Sequence, residues 1–258
     1  MSIKSKNTII TLINLITYSK ILIKSKIGIL KLEISERILE MEEKTLTFLG
    51  KDSGFGEHNN SAYIEDNNKL IIIDCGFTVF EQLKNKFEFN KYTDIEIIIT
   101  HLHNDHAGSL SQIILYLWFI YNKKVTIYSK CERIRDYLEI TGTPKESYEI
   151  KNESENITFI KTNHVQYLDA YGFKLKVKDK NIIYTGDTNT LNPFLPHIEN
   201  EEIDELYVDV SRFGGAHLKI DDIVEKLAKI NKSGTLVDLM HLDDKEYINA
   251  IWQSELLK

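Results

Sequence analysis

Thr100-His101-Leu102-His103-Asn104-Asp105-His106-Ala107-Gly108 places four potential metal ligands within six residues. It follows Ile95 to Thr100, which reads as a strand buried on both faces. A loop leaving such a strand sends His101 and His103 one way and Asp105 and His106 another. Imidazole nitrogen and carboxylate oxygen are suitable zinc donors. Crowding three imidazoles and a carboxylate at one strand end gains little from packing. The stretch therefore reads as a metal-binding loop and not as a chance polar turn.

Working outward, three more candidates stand at predicted strand ends. His164 closes Lys-Thr-Asn-His after the strand-like Ile157 to Thr162, Asp187 follows Ile182-Ile183-Tyr184 in Thr-Gly-Asp-Thr, and His241 follows the strand Thr235 to Leu239. Asp74, in Ile-Ile-Ile-Asp-Cys-Gly, reads as a partner that orients a ligand. His217 follows Gly214-Gly215-Ala216, where paired glycines let the backbone come close to a site; a plain helix-entry histidine is the rival reading. His58 and His197 read as surface residues, and Cys75 as buried, since no base accompanies it. Asn60 and Ser61 are left between lining a pocket and shaping a turn.

The remaining pattern predicts strands at Thr45 to Leu49, Ser61 to Glu65, Leu70 to Ile73, Val125 to Tyr128, Gly172 to Val177, Asn181 to Tyr184 and Leu206 to Val210. Helices are expected at Val79 to Phe87, Leu110 to Tyr121, Cys131 to Ile140, Ile220 to Ile230 and Lys245 to Leu257. Trp118 and Phe119, within the second of these, read as core. Strands first, then strands alternating with helices, predict an α/β fold with two sheets between helices.

The chain has 258 residues and a formal net charge of −7. That length suits one large domain, and the acidic balance argues against a protein built for nonspecific nucleic-acid binding. Residues 1–40 differ: they carry seven cations against three anions, with mixed periodicity, and read as an extension of the domain at 41–258. Met41 is a candidate start, the rival being a helix or hairpin that packs on the domain or mediates assembly. The chain shows no run of 18 apolar residues for a membrane span. Two cysteines make no disulfide framework, no alanine precedes Ala62 for a signal-peptide cleavage site, and the expected compartment is the cytoplasm.

His-x-His-x-Asp-His after a buried strand resembles the signature of the metallo-β-lactamase superfamily, and Asp74, His164, Asp187 and His241 continue the match in order. The resemblance runs from about Thr45 to the C-terminus. It implies a four-layer αββα sandwich and a hydrolase with two divalent metal ions, zinc first and manganese or iron as alternatives. It implies that His101, His103 and His164 hold one ion, that Asp105, His106 and His241 hold the other, and that Asp187 bridges them, with a metal-bridging hydroxide as nucleophile. Asp105 and His217 are implied as reacting residues, His217 contacting a substrate phosphate or protonating the leaving group. Asp74 is implied to support the metal loop.

Phe48-Leu49-Gly50, Tyr-Thr-Gly-Asp-Thr and the late Ala-His-Leu look most like the ribonuclease Z-like phosphodiesterase branch. Asn104 stands where di-iron redox members have a carboxylate, and no cysteine is near the bridging position as in true β-lactamases. The interval from His164 to Asp187 is too short for a tRNA-gripping arm. The expected substrate is therefore a small anionic phosphodiester, such as a cyclic nucleotide, and not tRNA. A carboxylic ester, thioester or lactone hydrolase is the alternative on the same metals, and a non-catalytic metal-bound binding module is the third. A homodimer is the default oligomer.

Overall fold

In the computed structural model, residues 44–258 are described; the expectations for residues 1–40 and for a start at Met41 lie outside them. Among the described residues, eleven strands form two sheets. The first holds β1 (Thr47–Gly50), β2 (Ser61–Asp66), β3 (Lys69–Ile73), β4 (Asp94–Ile98), β5 (Val125–Tyr128) and β6 (Tyr148–Lys151), in that order. The second holds β7 (Ile157–Lys161), β8 (Tyr171–Val177), β9 (Lys180–Tyr184), β10 (Glu205–Asp209) and β11 (Leu236–Met240), again in chain order.

Both sheets begin with antiparallel pairs and continue in parallel: β3 to β6 in the first, β9 to β11 in the second. Turn chemistry sets the hairpins. Asn67 takes φ 53° between β2 and β3, a region asparagine tolerates. Lys178 and Asp179 both take positive φ between β8 and β9, as a tight hairpin whose twist matches its strands requires.

Three apolar clusters define four layers. Ile64, Ile73, Ile98, Phe173, Tyr184 and Met240 pack between the sheets, with Phe173 and Tyr184 stacked at 5.1 Å. On the far face of the first sheet, Ile72 and Ile97 meet Val79 and Leu83 of α1 (Val79–Lys86) and Leu110, Ile114 and Leu117 of α3 (Leu110–Tyr121). On the far face of the second, Val208 and Leu239 meet Phe194, Ile248 and the stripe Ile220, Val224, Leu227 of α6 (Ile220–Lys232). That stripe has helical spacing, so one face of α6 buries while its lysines and aspartates stay in water. Each fully buried Leu or Ile contributes on the order of 1.5–3 kcal/mol. The chain is thus an α/β, αββα sandwich, as expected.

Differences from expectation are local. The helix expected from Cys131 starts at Ile134, as α4 (Ile134–Ile140). Strand β6 and helix α5 (Leu195–Asn200) were not expected; Pro196 lies in the first turn of α5, where its missing N–H costs nothing. Phe119 corrects a core assignment. It is 69% exposed and Ile120 64%, because α3 is apolar all round and only its Leu110, Ile113, Ile114 and Leu117 side meets the sheet. The last helix, α7 (Lys245–Leu256), is capped by Asp244, whose carboxylate accepts from Tyr247 N at 3.0 Å.

Candidate metal centre

Every candidate ligand emerges at one end of the sandwich. Asp74 follows β3, His101 to His106 follow β4, His164 follows β7, Asp187 follows β9, Asp209 ends β10 and His241 follows β11. Parallel strands deliver their carboxyl ends to the same rim, where open α/β sheets place their sites. Asp74 and His241 each take a left-handed turn on leaving the strand, both at φ 58°, which swings the side chain out of the strand direction. His103 stands at the N-cap position of the short helix α2 (Asn104–Ala107), whose single turn carries Asp105 and His106.

Among the described residues, three overlapping groups share Asp187, two of them built from the candidate ligands and the third from Asp209, His217 and His241. His101, His103 and His164 converge with Asp187, and Asp105, His106 and His241 converge with it as well. In the first group His101 Nε2 is 3.0 Å from His103 Nδ1, and His164 Nε2 is 3.2 Å from the same atom. Asp187 Oδ2 lies 3.6 Å from His101 Nε2 and 3.7 Å from His164 Nε2. In the second group Asp105 Oδ2 lies 3.1 Å from His241 Nε2 and 3.3 Å from His106 Nε2. Asp187 reaches this group through Oδ1, 3.3 Å from His106 Nε2. Two donors about 2.0–2.1 Å from one tetrahedral ion stand about 3.3 Å apart, so both groups have the spacing of a ligand set.

The donor chemistry tests the fit further. His106 Nε2 and Asp187 Oδ1 are buried and face each other with no hydrogen bond between them or to any other described group. Orphaned buried polar atoms are costly; an ion held between the two would satisfy both. Three of the ring nitrogens that point away from the groups have hydrogen-bond partners, while His241 Nδ1 has none among the described residues. His101 Nδ1 meets Thr100 Oγ1 at 3.1 Å, His106 Nδ1 meets Asp74 Oδ2 at 2.9 Å, and His164 Nδ1 meets the Ala216 carbonyl at 3.1 Å. Such contacts fix ring orientation and tautomer, leaving the inward nitrogen with its lone pair. Asp74 is fully buried and also accepts from the Thr100 N–H at 2.9 Å and the Thr100 hydroxyl. It sits behind His106 and outside both groups.

The electrostatics favour cations. Burial, reinforced by the neighbouring His106, holds His101 well below the ordinary imidazole range. Burial also opposes charge on His241, but Asp187, Asp105 and Asp209 outweigh it and raise that ring to about 10. Asp187 would be driven up by burial, yet His106, His241 and His101 hold it well below the carboxylate range. The negative potential that draws a proton onto His241 draws a divalent ion more strongly.

His217, just before α6, lies beside the second group. Its Nδ1 donates to Asp209 Oδ2 at 2.8 Å, and its ring stacks on His241 at 4.7 Å. Asp209 was not anticipated from sequence. It is fully buried, and its other oxygen lies 3.4 Å from His241 Nδ1. His58 is exposed and His197 half-buried, bonded to Glu201 at 2.6 Å; neither joins the centre. Asn60 and Ser61 are buried beneath it, Asn60 donating to Tyr184 at 2.7 Å and Ser61 to the Asp74 carbonyl at 2.8 Å, and so support the site without lining the cavity. Gly76 lets the two loops meet: a Cβ there would lie 2.1 Å from the Asp105 carbonyl oxygen. Above the groups opens a cavity of about 620 Å³, floored by His103, Asp105, His164, Asp187, His217 and His241. Its mouth carries Phe55, Phe77 and Phe213, all exposed and none anticipated.

A family model described as "Anti-Pycsar protein Apyc1" matches residues 44–138. An anti-Pycsar protein Apyc1 from Bacillus phage 010DV004 is 26% identical over 236 residues, covering 77% of this chain and 89% of the relative. The metallo-β-lactamase fold protein YhfI from Bacillus subtilis superposes with a TM-score of 0.65 at 19% identity, over 81% of this chain and 92% of that one. The short form of human tRNase Z superposes with a TM-score of 0.60 at 16% identity, over 78% and 93%. Two sheets between helices, ligand loops gathered at one rim and these superpositions converge on a single architecture, and the chain is a metallo-β-lactamase-fold protein.

Proposed function

We propose that this chain is a two-metal hydrolase acting on a small phosphodiester, with a cyclic nucleotide as the leading substrate class. One observation carries the reading: Asp187 stands between two histidine groups on the floor of an open cavity. In this reading His101, His103 and His164 hold one divalent ion, Asp105, His106 and His241 the other, and Asp187 touches both. Histidine and carboxylate donors in this mix suit zinc. Such a pair of ions supplies Lewis acidity toward phosphoryl oxygens and lowers the pKa of water at neutral pH.

The protein's own groups do the rest. Asp74, Thr100 and the Ala216 carbonyl hold three of the imidazoles in their tautomers. Asp105, from its place on α2, brings its carboxylate to 3.1 Å from His241 Nε2 and 3.3 Å from His106 Nε2 and so completes the donor set with them. Burial works against a charged His217, but Asp209 raises its pKa above the ordinary imidazole value. With Nδ1–H given to Asp209, His217 keeps Nε2–H for the leaving oxygen, the role of a general acid.

The cavity supports a small substrate. Its volume lies in the range of small-molecule sites. None of the described residues lining it is a lysine or arginine, so a long phosphate backbone finds no cationic track there. The interval between His164 and Asp187 is filled by the β8–β9 hairpin, with no room for a tRNA-gripping arm. One fold neighbour is named tRNase Z and another a diphosphatase of the PhnP family. No described helix is long and apolar enough to cross a membrane.

The test is a panel of a cyclic nucleotide, an aryl phosphodiester, a thioester and a lactone, incubated with the zinc- or manganese-loaded protein. Diester turnover is expected to vanish on chelation and return on reloading. Turnover of the thioester or lactone with inert diesters supports the carboxylic-ester reading instead. Stoichiometric metal with no turnover of any ester supports a binding module.

A further inference from the structure

The segment between β10 and α6 bears on the centre three times. The Ala216 carbonyl holds His164 Nδ1, His217 faces Asp209, and Phe213 lines the cavity mouth. Its backbone is intrinsically loose. Gly214 and Gly215 take φ 77° and 82°, and a Cβ on Gly215 would meet nothing within 4 Å. The base of the loop is closed by Ser211 N donating to the Leu218 carbonyl at 2.7 Å and Ile220 N to the Ser211 carbonyl at 2.9 Å. The tip is held by one hydroxyl. Ser211 Oγ accepts from Phe213 N and Gly214 N, each at 2.9 Å, and donates to Asp243 Oδ2 at 2.5 Å. Asp243 Oδ1 accepts from Arg212 N at 2.8 Å.

A serine hydroxyl has one proton and two lone pairs. Sending the proton to a carboxylate turns both lone pairs toward the two amides, so Asp243 determines how Ser211 grips the loop. A hydrogen bond to a carboxylate is also shorter and stronger than one between neutral groups. Asp243 comes from the segment just after His241, so the contact ties the loop bearing His217 to the strand end bearing a ligand of the second group.

We infer that Asp243 and Ser211 form a latch that positions loop 211–217, and through it His217, for reaction. Both are positioning residues. The inference rests on the phosphodiester reading for its kinetic consequence, but the latch itself has a readout independent of turnover. A displaced His217 matters only where the leaving oxygen needs a proton. The alkoxide leaving group of a cyclic nucleotide needs one, and 4-nitrophenolate does not.

The experiment uses the full chain loaded with zinc. In Asp243→Ala, kcat on a cyclic nucleotide is expected to fall about 10- to 50-fold, while kcat on a 4-nitrophenyl phosphodiester falls less than about threefold. The double variant Asp243→Ala/His217→Ala should be no slower than His217→Ala alone, because the latch acts through that ring. Asp243→Asn, which keeps an acceptor for the serine proton, should recover part of the loss. Amide exchange at Phe213 and Gly214 should quicken about tenfold or more in Asp243→Ala, with β10 amides unchanged. An equal fall on both substrates, additive losses with His217→Ala, or unchanged exchange at those amides overturns the latch. If the wild-type chain cleaves no phosphodiester, the functional reading fails and exchange alone decides the latch. If Asp243→Ala does not fold, Ser211→Ala is measured by the same criteria.

Discussion

Asp74→Asn isolates how a buried charge governs the second ligand group. The change is isosteric, and asparagine accepts the left-handed backbone at φ 58° that Asp74 occupies. The wild-type carboxylate accepts from Thr100 N at 2.9 Å and from His106 Nδ1 at 2.9 Å. A backbone N–H can only donate, so the new amide oxygen must stay on Thr100. The amide NH₂ then faces His106 Nδ1, donor against donor. The imidazole can relieve this by moving its proton to Nε2, the atom that faces Asp105 and Asp187 at 3.3 Å each. A ring protonated there has no lone pair for an ion. Loss of the charged hydrogen bond costs about 1.5–3 kcal/mol. Losing the partner behind a metal-bound histidine typically weakens affinity about 10- to 100-fold, about 1.4–2.7 kcal/mol. Chelator competition on the purified variant should therefore show one weakened ion of two, with the first group near wild-type affinity. Asp74→Ala adds strain in the left-handed region and should also lower the melting temperature. Two unaltered affinities in Asp74→Asn refute the assignment of His106 as a ligand held in its tautomer by Asp74.

Further expectations follow from the same geometry. His217→Ala should lower kcat on a cyclic nucleotide about 100-fold with metal content unchanged, as expected for loss of a general acid. Burial opposes and Asp209 favours the charged form of His217, with a net upward shift; the needed proton is present at low pH and lost as pH rises through that raised pKa. The wild-type pH–rate profile should thus carry an alkaline limb that His217→Ala lacks. Gly76→Ala would push a Cβ to 2.1 Å from the Asp105 carbonyl oxygen and 2.7 Å from the Asn59 side chain. It should cost about 1–3 kcal/mol or more, read by denaturant titration, and reduce metal loading by displacing α2. Chelation should lower the melting temperature. Restoring free zinc to 100 times its dissociation constant should return about 2.7 kcal/mol for each independent site that binds only the folded chain.

The ligand loop was legible because its donors are contiguous, so no folding step had to be guessed to see them together. His164, Asp187 and His241 were legible through what precedes them: an apolar β-branched run ending in a polar residue marks a strand delivering a side chain to the rim. Asp209 gives no such sign. It ends Leu-Tyr-Val-Asp inside a strand, and its importance arises only when β10 and β11 place His217 and His241 on either side of it. Ser211 and Asp243 escaped for the same reason, since 32 positions separate two residues bonded through one proton. Phe55, between Gly54 and Gly56, carries no sign in the sequence of a role at the site, yet it forms part of the cavity mouth. Strand β6 is short and lies at a sheet edge, where half its residues meet water and leave no periodic signature. Phe119 shows the converse: an apolar side chain follows the helix to whichever side the helix turns, and here that side is solvent.

The two sheets contribute unequal and incomplete shares of the centre. The first supplies His101, His103, Asp105 and His106, and the second supplies His164, Asp187 and His241. Neither half of the sandwich can assemble either candidate ligand group from its own strands and loops. An ion seated in either group would therefore be a rivet through the seam between the halves, added at the rim to the apolar layer that already joins the sheets.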